Sequence, residues 1–228
     1  MNDNENKVRI KSVARALAEL NQQVVFVGGA TISLYPDREV FETRPTDDVD
    51  VLIEILNYSN RVTLEEKLRT IGFTHDIESG IACRYKIHGI TVDIMPTNDV
   101  SLGFNSIWYS EGFKKAVNYV IDESATVKIL TPPYFIATKL EAFKDRGKND
   151  GRTSQDFEDI IYVLENRSVV WKELSNSDID IKKYLQMEFS NVLKNPNHFE
   201  WVDGHVERGD SRSTDEIIGA IQRFIVEL

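Results

Sequence analysis

The sequence predicts an α/β N-terminal part, residues 1–130, followed by a helical C-terminal domain, residues 131–228. Two patterns and the bulk composition point there. Up to about residue 130, short β-rich runs alternate with helical spacings: VVFVGG (24–29), DVDVLIEI (48–55) and ITVDIMP (90–96) are separated by polar or amphipathic stretches. From Thr131 the texture changes, and helical patterns follow one another to the end. A chain of 228 residues with 41% hydrophobic and 28% charged content has enough apolar material for a sizeable core and is not disordered.

The elements follow in order. Val8, Ile10, Val13, Ala14, Leu17 and Leu20 recur at helical spacing over 8–20. VVFVGG (24–29) is a buried strand ending in two glycines, ATISLY (30–35) one or two helical turns, and residues 36–46 a loop. After the 48–55 strand, TLEEKLRTIG (63–72) predicts a helix, with Thr63 and Glu66 as a capping box and Gly72 as its stop. Two β-rich runs flank His88-Gly89 and predict a hairpin over 81–96. A helix over 104–117 and two short strands, NYVIDE and TVKIL, complete the first part. In the second, Thr131 caps a helix with Pro132 at its first position. Further helices are predicted over about 154–166, 169–175, 178–193 and 213–227, and 195–213 is the most loop-like stretch.

The net charge of −10 argues against a surface coated for non-specific nucleic-acid binding, while leaving room for a local basic patch. One cysteine, Cys83, excludes an internal disulfide and fits a reducing compartment. There is no signal-peptide pattern at the start and no apolar run of transmembrane length, so a cytoplasmic protein without membrane contact is expected.

The chemistry centres on DVDV. Side chains at i and i+2 of a strand share a face, so Asp48 and Asp50 point one way and Val49 and Val51 the other. Asp93 is again an acid inside an apolar strand. If its strand pairs beside 48–55, three carboxylates meet. Without a cation they would repel one another; around two Mg²⁺ ions they form a phosphoryl-transfer site. Gly28 and Gly29, at a strand-to-helix turn, allow close backbone approach to an anion, and Thr31 and Ser33 offer hydroxyls nearby. The bland alternatives are that Asp48 is a turn residue, Asp50 an edge-strand acid and Asp93 an ordinary hairpin charge. The spacing of DDVDVLIEI fails as a calcium loop, since apolar residues stand where oxygen ligands and a glycine are needed. Cys83 reads as a packed strand residue, and the four histidines have no metal-ligand spacing.

A strand ending in Gly28-Gly29, then Asp48-Val49-Asp50-Val51, then Asp93 resembles the DNA polymerase β-like nucleotidyltransferase superfamily. KLEAFKDRGKNDGRTSQDFEDIIYVL (139–164) and RPTDDVDV are similar to the corresponding stretches of the AbiEii-type nucleotidyltransferases, which include toxins of toxin–antitoxin systems. The resemblance spans roughly residues 24 to 165. It implies a small mixed sheet with flanking helices, followed by the helical domain. It also implies two Mg²⁺ held by Asp48, Asp50 and Asp93, with Asp93 taking the proton of the attacking hydroxyl. Gly28, Gly29, Thr31, Lys139 and Asp156 would serve the NTP, with Lys139 closing a cleft from the helical side. Ala30 departs from the hydroxyl residue that often follows the second glycine. Lys139 lies on an apolar helix face, where a lysine also simply snorkels, and Asp156 three residues after Thr153 equally suits a helix N-terminal box. Lys144, Arg146, Lys148 and Arg152 form the best local basic patch. The expected partners are an NTP, an acceptor that includes tRNA among the candidates, and an antitoxin. The rivals are the same fold acting on a small-molecule or protein hydroxyl, and a catalytically silent module that binds a partner.

Overall fold

The computed structural model describes residues 2–37, 43–55, 58–97, 107–148, 150–206 and 213–227. The chain divides into two compact units, Met1–Leu34 with Phe41–Thr131, and Tyr35–Val40 with Pro132–Leu228.

In the first unit, helix α1 (Asn2–Leu17) runs into a 3₁₀ turn, Ala18–Gln23. Strand β1 (Val24–Val27) is buried on both faces, as a continuous apolar run requires at the centre of a sheet. A 3₁₀ helix, Gly29–Leu34, follows, then β2 (Asp48–Ile53). Helix α2 (Tyr58–Thr70) begins before the predicted capping box. Thr63 lies inside it and donates back to the Ser59 carbonyl at 3.0 Å, so Thr63 is an interior residue and not the cap. Gly72, at φ +96°, ends the turn as expected. A two-residue strand β3 (Thr74–His75), too short to be legible, precedes β4 (Arg84–Ile87) and β5 (Ile90–Pro96). The connection His88-Gly89 has φ of 51° and 78°, the paired left-handed geometry of a two-residue hairpin turn. Helix α3 (Tyr109–Lys114) is shorter than predicted, and residues 104–106 of that prediction lie outside the described residues. Strands β6 (Val117–Asp122) and β7 (Ala125–Ile129) close the unit.

Among the described residues the seven strands form one mixed sheet in the order β3-β4-β5-β2-β1-β7-β6. β2 is parallel to β5 and antiparallel to β1, and β1 is parallel to β7. Ile10, Val13 and Leu17 of α1 are fully buried, as are Val49, Val51 and Leu52 of β2. Each such side chain contributes about 1.5–3 kcal/mol of apolar burial.

The second unit is helical: α4 (Pro132–Arg146), α5 (Gln155–Asn166), α6 (Val170–Ser175), α7 (Ile179–Lys194), α8 (His198–Asp203) and α9 (Ser213–Ile225). α8 falls inside the stretch expected to be loop. Buried Trp201 explains it, standing edge-on to Phe143 and Phe157 at ring-centroid distances of 5.7 Å. The chain after the glycine turn also belongs here. Tyr35 stacks on Phe135, its carbonyl accepts from Arg167 at 3.0 Å, and Asp37 accepts from Ser168. Part of the expected 36–46 loop is thereby anchored, and residues 38–42 lie outside the described residues.

Lys139, Arg146, Asp156 and Asp159 tie α4 to α5. Lys139 Nζ lies 3.1 Å from Asp156 and 2.6 Å from Asp159, while Arg146 forks Asp156 at 2.7 and 2.8 Å. Burial raises the Asp156 pKa, but Arg146 and Lys139 outweigh it and hold the carboxyl below its ordinary value. Its stabilising contribution is therefore complete above pH 3.8, the unperturbed value, and is lost as pH falls below that through the depressed folded value. Melting temperature followed from about pH 5 down to about pH 2 is expected to fall more steeply for the wild type than for Asp156→Asn.

Candidate active site

Sheet register assembles the site. In the parallel pair, Asp50 lies beside Asp93; in the antiparallel hairpin, Arg84 lies beside Asp93. Asp50 in turn lies beside Val27, the last residue of β1, so a row crosses four adjacent strands and ends at the glycine turn. Asp48, two residues before Asp50, shares its face. Val49 and Val51 point into the core, which fixes the two acids on the opposite side.

Asp48, Asp50 and Asp93 each offer an oxygen, and these atoms lie within 4.8 Å of one another. Asp93 is 8% exposed and the other two are half-buried. Asp48, Asp50 and Asp93 are the residues that would hold a divalent cation here, which would supply charge neutralisation to a phosphoryl group. The donor set is all oxygen, which suits Mg²⁺ or Mn²⁺.

Gly28 has φ +72°, and a Cβ built on it would stand 1.9 Å from Asp50 Oδ2. The turn thus packs directly on a candidate ligand. Gly28→Ala is strained twice over, by backbone sign and by collision. It is expected to lower activity by about 10²-fold or more by displacing Asp50, a loss that steady-state kinetics on the folded variant measures. Gly29 packs against Arg44 and Thr46, and a Cβ added there would meet Arg44 Nη2 at 2.5 Å. The Thr31 hydroxyl donates to the Gly28 carbonyl at 2.9 Å and Ser33 to Ala30 at 3.3 Å, so both brace the turn.

Three contributors escaped the sequence reading. Arg84 Nε and Nη2 fork Asp93 at 2.8 and 2.7 Å, and Nη2 stands 3.6 Å from Asp48. The hydrogen bonds to Asp93 raise the Arg84 pKa above its ordinary value. The signal was available: a two-residue turn at His88-Gly89 pairs 87 with 90, and therefore 84 with 93. Asn6, fully buried on α1, donates to the Arg44 carbonyl and accepts from the Thr46 amide and hydroxyl. It holds the segment leading into Asp48. Its signal was a polar residue in line with the Ile10, Val13, Leu17 stripe. Arg44, read as part of RPTDDVDV, was not singled out for its place at Gly29.

Cys83 is buried, and burial, then the Asp93 and Asp50 charges, push its thiol up to about 12, consistent with a packed residue. Lys139 and Asp156 belong to the buried ion cluster of the second unit. Ser154, not Thr153, caps α5, accepting from the Phe157 amide, so Asp156 is a first-turn residue and not the partner of a Thr153 box. Of the basic run, Lys144 pairs with Glu141 and Glu188, Arg146 with Asp156, and Arg152 with Asp150 and Glu200. Most of that charge is neutralised locally.

A family model described as "Nucleotidyl transferase AbiEii toxin, Type IV TA system" matches residues 12–188. No curated protein matches the chain. Among solved structures, an antigenic nucleotidyltransferase-like protein from Paracoccidioides brasiliensis is similar, with TM-score 0.52 and 20% identity over 90% of this chain and 94% of that one. That likeness supports the nucleotidyltransferase-like fold of a mixed sheet with flanking helices. No helix among the described residues is long and apolar enough to cross a membrane. The family match spans most of the chain and takes in all three strand aspartates: this protein belongs to the AbiEii nucleotidyltransferase toxin family.

Proposed function

We propose that the chain transfers a nucleoside monophosphate from an NTP to a hydroxyl acceptor, releasing pyrophosphate, with tRNA as the acceptor class and a cognate antitoxin as partner. The observation that carries this reading is the convergence of Asp48, Asp50 and Asp93 beside the Gly28-Gly29 turn. Asp48, Asp50 and Asp93 would hold Mg²⁺, which when bound neutralises charge on the triphosphate and on the attacking and leaving oxygens. The chain's own residues do the rest. Gly28 and Gly29 let the backbone approach the phosphates closely, and Arg44 places positive charge at the same turn. Thr31 fixes that turn through the Gly28 carbonyl. Asp93 takes the proton of the acceptor hydroxyl on a carboxylate oxygen as that hydroxyl oxygen bonds to the α-phosphorus and the bond to pyrophosphate breaks.

The family resemblance also gives Lys139 and Asp156 to the nucleotide. A triphosphate reaching Lys139 competes with two carboxylates already within 3.1 Å, so Lys139 contributes less to NTP affinity than to stability. The local neutralisation of the 144–152 cations favours a second reading, a protein or small-molecule acceptor.

Purified protein incubated with each α-labelled NTP, Mg²⁺ and total RNA, beside an Asp48→Ala Asp50→Ala control, separates these. Label entering RNA with the wild type alone is the expected result. Label on protein selects the second reading, and absence of both labelling and NTP binding leaves the silent module.

A further inference from the structure

Arg84 occupies the place where a cation's charge would be felt. Its guanidinium forks both oxygens of Asp93 and reaches Asp48 at 3.6 Å, within the cluster whose three acids lie within 4.8 Å of one another. Three carboxylates this close repel strongly unless a positive group sits among them. The bidentate fork is the strongest form such pairing takes. It is also fixed in place, because Arg84 and Asp93 are direct cross-strand partners and cannot separate without disturbing the hairpin.

We infer that Arg84 is a built-in counter-ion that holds the three carboxylates together in the nucleotide-free protein and keeps their affinity for a free divalent cation low, so that metal enters with the NTP. The guanidinium cancels about one of the three negative charges that would draw a cation in. A nucleotide restores the balance by bringing its own phosphate charge to the site. Arg84 is in this sense a positioning residue: it acts on the metal through Asp93 and Asp48. The inference rests on the proposed reading of Asp48, Asp50 and Asp93 as cation ligands.

The test is Mn²⁺ binding to nucleotide-free protein, read from the free-ion electron paramagnetic resonance signal. Arg84→Gln is expected to bind Mn²⁺ about tenfold or more tightly than wild type, since it removes a positive charge in direct contact with Asp93 and 3.6 Å from Asp48. Its melting temperature should fall in EDTA and recover with Mn²⁺, while that of the wild type responds little. A merely structural arginine predicts weaker binding on removal, the opposite sign. Arg84→Lys keeps the charge with less disturbance to the strand pair, and its affinity should stay within about threefold of wild type. If Arg84→Gln binds no tighter than wild type, or if Arg84→Lys gains as much as Arg84→Gln, the counter-ion role is overturned. Asp48→Asn Asp50→Asn in the Arg84→Gln background separates the two levels of the reading. Binding that survives it contradicts the ligand assignment itself; binding that it abolishes leaves any failure with Arg84 alone.

Discussion

Asp48→Asn Asp50→Asn is expected to lower nucleotidyl transfer by at least about 10³-fold while leaving the protein as stable as wild type or raising its melting temperature. Removing one fixed electrostatic contact to a transition state commonly costs about 10²–10³-fold, and here two metal ligands go together. The stability change has the opposite sign. Arg84 forks Asp93 and stands 3.6 Å from Asp48, so the asparagines relieve carboxylate repulsion while leaving the Asp93 fork in place. Parallel thermal melts and label-transfer rates check both halves. Acids kept for folding would show loss of stability along with loss of activity, whereas acids kept for function show the two moving apart.

Lys139→Met is expected to destabilise the helical unit by about 3–5 kcal/mol, because breaking a buried ion pair leaves charge without its partner in an apolar setting. Asp159 is fully buried and Lys139 is 5% exposed, so water cannot replace the lost contact. Burial lowers the Lys139 pKa, but Asp159 and Asp156 outweigh it and hold the ammonium above its ordinary value. Its contribution is therefore present below pH 10.5 and is lost only as pH rises through the raised value. Asp156 keeps Arg146 in the variant, while Asp159 loses the ammonium that stands 2.6 Å from it. Adding Asp159→Leu to Lys139→Met should recover much of the loss by replacing the broken pair with apolar packing. Urea unfolding of the single and double variants measures this. A single-variant cost below about 1 kcal/mol would mean that the pair is solvated and interacts as a surface bridge does.

How much of this was legible in the sequence depends on which force set each feature. The alternation in DVDVLI placed Asp48 and Asp50 on one face because a strand's period is two and Val49 and Val51 had to be buried. Joining Asp93 to them needed β5 to lie parallel to β2, a long-range pairing that no local pattern specifies. Arg84 followed from hairpin arithmetic, yet a basic residue in a half-exposed strand looks like solvent-facing charge until its partner is known. Asn6 was hidden in a polar N-terminal run, its role being to satisfy the backbone of a segment far along the chain. Thr131, Pro132 and the helical spacings after them marked the helices, while α8 was masked by asparagines, proline and glycine around Trp201 and Val202. The start of α2 was misread because Thr63 and Glu66 match a cap pattern that also occurs in helix interiors. Lys139 gave a plain apolar-face signal; the carboxylates that bury it come from another helix.

The most direct test of the metal-centred site is a crystal structure of the protein with Mn²⁺ and a non-hydrolysable NTP, its anomalous scattering locating the ions. The expected result is two peaks about 3.5–4 Å apart among Asp48, Asp50 and Asp93, with the triphosphate over the Gly28-Gly29 turn. A triphosphate bound elsewhere, with no anomalous peak at the three carboxylates, would contradict it.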